Sequence, residues 1–384
     1  MAFLRNDAVN RVNLHSGVQA LAQAGGGVFF LVFLLRAGVS VPAVLTALAA
    51  IQAGRFVLRP ALLPLAKRWG LKPMLIIGTL GMAVQYPLLA RVHGVGAGLA
   101  ALCVVSAVAE VFYWPSYNAY FAAIGDAHHR GHQLGAREAL VSAAGIVAPL
   151  LGAWALLTFG PGPMFAAVAL IQVLSAAPLL GAPNVPVKQA APGSFRAARL
   201  GMILSAADGW FDACFIFVWQ IALFASLGES FAAYGGAMAL AGLAGAVFGL
   251  FLGRHIDAGH GRRAVTIAYS MMAAVVLARA ASLGSPWLAV GANALGALLG
   301  TLMLPASTAN YNLAKASPCP ARFHVVTEGG WDVGCFSACL VAAALLASGV
   351  PLFVAILLAL PPLAVASMLL RRYYARSAEA PAVA

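Results

Sequence analysis

Residues 183–199, PNVPVKQAAPGSFRAAR, are the longest polar, proline-containing stretch of a 384-residue chain that is otherwise 62% hydrophobic and only 9% charged. On both sides the sequence is a succession of apolar runs. A helix needs about 20 such residues, at about 1.5 Å each, to cross a bilayer. Breaks at charged and Gly/Pro clusters predict twelve such helices: 13–35, 42–64, 73–91, 97–121, 136–158 and 162–181, then 199–225, 231–253, 264–283, 287–309, 326–347 and 350–370. Six precede the polar stretch and six follow it. It therefore reads as a cytoplasmic linker, 182–198, between a six-helix half at 1–181 and another at 199–384. The predicted fold is an all-α polytopic membrane protein with two pseudo-symmetric halves.

Composition excludes an ordinary soluble enzyme, because a soluble domain is about one quarter charged. A mean hydropathy of +0.91 leaves more apolar surface than one core can hide from water. The formal charge of +12 in a soluble chain points to nucleic acid. In a membrane chain the basic residues gather in cytoplasmic loops instead, so no nucleic-acid partner is expected. With the N-terminus inside, 18 of the 23 basic residues fall on the cytoplasmic side. Arg36 and Arg91 fall outside, while Arg55, Arg59 and Arg279 lie within spans. The expectation is a multi-pass, monomeric protein of the cell (inner) membrane with both termini cytoplasmic. The opening MAFLRNDAVNRVN is polar for too long to be a signal peptide. Five cysteines without a CxxC pair read as small core residues, not as a metal or disulfide framework.

An internal repeat supports two halves. Shifted by 190 positions, Pro115 meets Pro305, Glu138 meets Glu328, and Lys67 meets Asp257. WPSYNAY (114–120) then stands opposite LPASTANY (304–311), and LPLAKRWGLK (63–72) opposite GRHIDAGHGRR (253–263). Those two basic turns, with the twelve helices, resemble the major facilitator superfamily (MFS) over essentially the whole chain. The family's loop between helices 2 and 3, G-x-x-x-D-R-x-G-R-R, is echoed here after helix 8 by Gly253, Asp257, Gly261, Arg262 and Arg263. The first copy keeps Arg68, Gly70 and Lys72 but has Leu63 and Lys67 where the family has Gly and Asp. Helix 5 offers Gly145, Ala148, Pro149, Gly152 and Ala153, a partial match to the motif of proton-driven exporters. Helix 4 carries Glu110 where that branch has an arginine. The resemblance implies secondary transport by alternating access, with helices 1 and 7 facing each other across a central cavity.

Charges inside a span are costly and mark function by default. Asp208 and Asp212 sit one turn apart in SAADGWFDACF (205–215), roughly 13 and 20 Å into helix 7. Gln19 and Gln23 occupy similar depth in helix 1, so two amides stand opposite two carboxylates in the cavity that the resemblance implies. The alternative is a polar seam holding helix 7 to a neighbour. Trp210, with Phe211, Phe215 and Trp219, is a candidate lining for an apolar substrate. Arg55 and Glu110 lie at comparable depth in helices 2 and 4, which points to a buried pair. Arg59 and Arg279 read as snorkelling residues. Asp332 lies a turn deeper than Glu328 and is placed at the cavity.

Acids at helix starts face the unpaired N–H groups, which accounts for Glu138 on helix 5 and Glu328 on helix 11. In the resembling fold the loop after helix 2 packs on helix 11 and the loop after helix 8 on helix 5. Lys67 with Glu328, and Asp257 with Arg137 beside Glu138, are therefore expected as cytoplasmic gate pairs. His128, His129, His132, His255 and His260 read as solvated loop residues, and no metal or cofactor is expected. The functional expectation is secondary transport of a small molecule, coupled to protons, leaning toward export of an amphipathic compound. Proton-coupled uptake of a polar solute is the alternative. A polytopic membrane enzyme is disfavoured, because the loops are too short to build a catalytic site at the membrane face.

Overall fold

The structure is a computed structural model that describes residues 6–124, 130–188, 190–252 and 261–379. The first half comprises α1 (Asp7–Arg36), α2 (Val41–Trp69), α3 (Leu71–Leu89), α4 (Ala97–Ile124), α5 (Arg130–Phe159) and α6 (Pro161–Leu180). The second comprises α7 (Arg199–Ser226), α8 (Phe231–Leu252), α9 (Gly261–Ala281), α10 (Pro286–Ala316), α11 (Pro320–Ala347) and α12, which runs as Leu352–Leu357 and Leu360–Glu379. Among the described residues eleven helices are long and apolar enough to cross a bilayer by themselves. The remaining one, α3, is 19 residues long, is diluted by Lys72, Gln85 and two prolines, and lies against α4 and α6. The repeat of 190 residues is kept in the backbone. It carries the start of α3 onto the start of α9, that of α5 onto α11, and the end of α1 onto the end of α7.

Several helices outrun their apolar windows at the end of the bundle where the chain begins. Helix α1 begins at Asp7, capped by Asn6, whose side chain accepts from the Val9 N–H at 3.1 Å. Helix α11 begins at Pro320 instead of 326, with proline in the first turn, where a missing N–H costs nothing. Hydropathy marks only the part of a helix that lies in lipid. The backbone bonds continue into water wherever no breaker stops them.

The linker is docked, not loose. Leu71 N donates to Val185 O at 2.9 Å, Lys72 Nζ to Ala182 O at 2.9 Å, and Asn184 Nδ2 to Trp69 O at 2.8 Å. The Asn184 side chain sits where a Cβ on residue 70 would be, and Gly70 has φ +82°, so that turn requires glycine twice over.

The halves meet along two long seams and at a seal near the opposite end. In the seal, Phe29 packs edge-on against Phe231 and Tyr234, Phe224 packs on both of them, and Tyr234 Oη donates to Val28 O at 3.2 Å. The α5/α8 seam is closed by backbone. A Cβ on Gly242 would lie 2.6 Å from Gly145 O, and one on Gly235 would lie 2.8 Å from Pro149 O. The α2/α11 seam is closed by charge.

Candidate functional site

On α2, residues 52, 55 and 59 share one buried face, which puts Arg55 and Arg59 against α11. On α11, TEGGWDVG (327–334) supplies acids among glycines. A Cβ on Gly330 would collide with Met202 O, and one on Gly334 with Ala206 O. From the other side, a Cβ on Gly209 would collide with Trp331 O. So α7 and α11 touch backbone to backbone at the level of the acids. Close approach of this kind is what small residues permit between membrane helices.

The charged groups then converge. Arg55 Nη1 donates to Glu110 Oε2 at 2.9 Å, within its own half. Arg55 Nη2 reaches across the seam to Asp332 Oδ1 at 3.0 Å and to Glu328 Oε2 at 3.4 Å. Arg59 Nε donates to Asp332 Oδ2 at 3.1 Å, and its Nη2 contacts the same oxygen. Asn118 of α4 donates to Glu328 Oε1 at 2.8 Å, and Trp331 Nε1 to Asp212 Oδ2 at 3.1 Å. The Arg55 guanidinium also lies 5.3 Å from the centre of the Trp331 ring. Arg55, Arg59 and Asp332 are buried, with relative exposures of 2%, 4% and 0%. Asp208, one turn nearer the start of α7 than Asp212, is exposed. Five carboxylates thus share the region with two guanidiniums, and Asp208 and Asp212 make no ion pair among the described residues.

Of the residues singled out from the sequence, Arg55, Glu110 and Asp332 come together as one network, with Asp212 tied to it through Trp331. Glu328 joins the same network and does not pair with Lys67. Helix α11 starts eight residues before it, so Glu328 lies in mid-helix, and half-buried Lys67 has no ion pair among the described residues. Arg59 does not snorkel, being held by Asp332. Gln19 is buried and accepts from Tyr113 Oη at 2.7 Å. Gln23 folds back over Gly27, its Oε1 2.5 Å from where a Cβ on that glycine would sit. Arg137 donates to Tyr117 Oη at 3.3 Å and stacks over Phe121. Asp257, His128, His129, His255 and His260 lie outside the described residues, as do the side chains of Glu138 and His132.

The expected aromatic lining also moves. Trp210 is two residues from Asp212, hence on the opposite side of the helix, and donates to Leu358 O of α12 at 3.1 Å. Phe211 and Phe215 stack on each other in the core, and Trp219 donates to Asn293 of α10 at 2.9 Å. A π-turn at Ala213–Val218 interrupts α7 just after Asp212 and resets the facing of everything beyond it. Arg279 attends that turn. It is buried and donates to Phe215 O at 2.5 Å, with its guanidinium over the Phe215 and Trp219 rings at 3.8 and 4.7 Å. It does not snorkel, because side chains lean toward a helix's N-terminus, and Arg279 sits at the C-terminal end of α9, so it leans back into the bundle.

Two groups of the structure carry no signal in the sequence. Asn118 is neutral and costs little in a helix, so nothing in composition flags it. His15, buried in the first half, contacts Ser175 O through Nδ1 at 2.7 Å and Tyr113 Oη through Nε2 at 3.0 Å. It sits within an apolar run that hides it.

Residues 16–204 match the family model described as Major Facilitator Superfamily. No curated relative matches the chain in sequence. The fold is similar to the crystal structure of the human organic anion transporter MFSD10 (TETRAN), with a TM-score of 0.67 at 15% identity, covering 95% of this chain and 99% of that one. It is likewise similar to the POT family transporter PepTSo, with a TM-score of 0.69 at 10% identity, covering 96% and 98%. The family match in the first half, the repeat that carries the same plan into the second, and the likeness of fold along nearly the whole length together support a transporter of the major facilitator superfamily and point away from an enzyme.

Proposed function

We propose that the protein is a proton-coupled secondary transporter that exports a small amphipathic compound, acting as a monomer in the cell (inner) membrane with both termini cytoplasmic. Its halves, 1–181 and 199–384, rock about a site made by Asp208, Asp212, Arg55, Glu110, Glu328 and Asp332. The observation that carries this reading is the sharing of Arg55 between Glu110 of its own half and Glu328 and Asp332 of the other. Protonating an acid on α11 removes its attraction for Arg55 and loosens the seam. Ionising it restores the tie. Asp208 and Asp212, lacking a cation among the described residues, are the acids free to exchange a proton or hold a basic group of the substrate. The turning of Trp210 toward α12 and of Trp219 toward α10 favours one second reading, uptake of a polar solute held by carboxylates and Asn118.

Flux in proteoliposomes, with and without a proton gradient and across a panel of metabolites, tests the proposal. Asp208→Asn and Asp212→Asn are each expected to abolish gradient-driven transport while expression and insertion stay intact. Unchanged pH-dependent flux in both variants would remove the site assignment. Flux in the inward direction would replace export by uptake.

A further inference from the structure

At the end of the second half that the proposed orientation makes cytoplasmic, α9 and α12 leave a groove of about 370 Å³ between them. Helix α12 contributes Ala364, Ser367, Met368, Arg371 and Arg372, spaced so that they fall on one face, and α9 contributes Arg262. The three arginines are exposed, and none makes a side-chain hydrogen bond or an ion pair among the described residues. Two other cations at this end are held within the protein. Arg11 pairs with Asp7 at 2.7 Å, and Lys72 bonds the Ala182 carbonyl.

The level of the groove is set by the sequence. The apolar run of α12 ends at Leu370, one residue before Arg371, and that of α9 starts just after Arg263. Both charged ends therefore stand at the boundary between lipid and water. From Arg372 to Ala364 the groove runs about 12 Å along α12. Over that length its wall changes from guanidinium, through the neighbouring Met368 thioether and Ser367 hydroxyl, to the Ala364 methyl. A free phosphate would use the arginines and leave the rest of the wall idle. A phospholipid uses all of it.

We propose that this groove is a binding site for an anionic phospholipid of the inner leaflet. The phosphate lies among Arg262, Arg371 and Arg372, the ester oxygens meet Ser367, and an acyl chain follows Met368 and Ala364 into the membrane. Basic pockets between transmembrane helices on this side suit such headgroups, and each arginine near the surface strengthens binding about fivefold.

The test uses the full-length protein in neutral detergent, titrated with dioctanoyl phosphatidylglycerol, dioctanoyl phosphatidylcholine or inorganic phosphate and read by native mass spectrometry. Phosphatidylglycerol is expected to bind at least about tenfold more tightly than phosphatidylcholine. The triple variant Arg262→Gln, Arg371→Gln, Arg372→Gln is expected to lose about a hundredfold in that affinity, and Arg371→Gln alone about fivefold. A triple Arg→Lys variant, which keeps the charge, is expected to retain most of the binding, and it serves if the glutamine triple does not fold. A control with Arg68→Gln and Arg196→Gln, exposed residues elsewhere at this end, should change little. Equal binding of the two lipids overturns the proposal, and so does equal loss in the triple variant and the control. Displacement of phosphatidylglycerol by inorganic phosphate at equal concentration overturns it as well, in favour of a soluble anion. None of these readouts involves transport, so the groove stands or falls apart from the proposed proton coupling.

Discussion

Arg55 serves three carboxylates from two helices with one guanidinium, so its loss strands more charge than the loss of any single acid. Arg55→Ala leaves Glu110, Glu328 and Asp332 near each other with Arg59 alone to answer them. Removing one side of a buried pair costs about 3–5 kcal/mol, and thermal unfolding in detergent should register it as a marked drop in Tm. Adding Glu110→Gln to Arg55→Ala should recover part of the loss, because it deletes a stranded charge. No recovery would mean that the three acids do not sense Arg55 jointly. The pairing of Arg55 with Glu110 was legible in the sequence because both lie about 20 Å from the outer ends of their helices. The role of Glu328 was not, because the apolar window of α11 opens at 326 while the helix opens at Pro320. Two turns of helix in water moved that acid from a helix start to the middle of a seam.

At the scale of elements, the twelve spans and their order could be read from hydropathy, since lipid imposes the same length on each. The facing of α7 beyond Asp212 could not, because facing is counted in turns and the π-turn at Ala213–Val218 spoils the count. A wide turn of this kind is poorly packed along its own axis, and Arg279 compensates by bonding the Phe215 carbonyl and covering its ring. Arg279→Met should leave that carbonyl unsatisfied, at a cost of about 1–3 kcal/mol. Arg279→Lys keeps a donor but loses the flat face that lies on Phe215 and Trp219, so it should fall between the two. Thermal unfolding of the three proteins orders them. A lysine variant no better than methionine would assign the effect to stacking alone.

At the scale of the molecule, the two halves repeat each other but the two seams between them do not. Arg55 and Arg59 on α2 correspond to Gly245 and Gly249 on α8, so the same place in the repeat holds two guanidiniums on one side and two glycines on the other. A disulfide joining Phe56→Cys to Gly329→Cys, positions in contact across α2/α11, is expected to stop transport, and reduction should restore it. Gly242→Val should act differently, since its side chain must push apart two backbones that no proton can loosen. Overpacking of this kind costs about 1–3 kcal/mol and is expected to lower Tm as well as flux. Transport that survives the oxidised 56–329 bridge would show that this seam does not open. The glycine contacts of α5/α8 hold at a distance fixed by covalent geometry, whereas the ion pairs of α2/α11 hold only while their acids are ionised. In the proposed cycle the first seam is then a fulcrum and the second a load applied off its axis. One proton added at Glu328 or Asp332 would exert a torque on a whole six-helix body, so that a change in a single bond length is felt at both faces of a membrane.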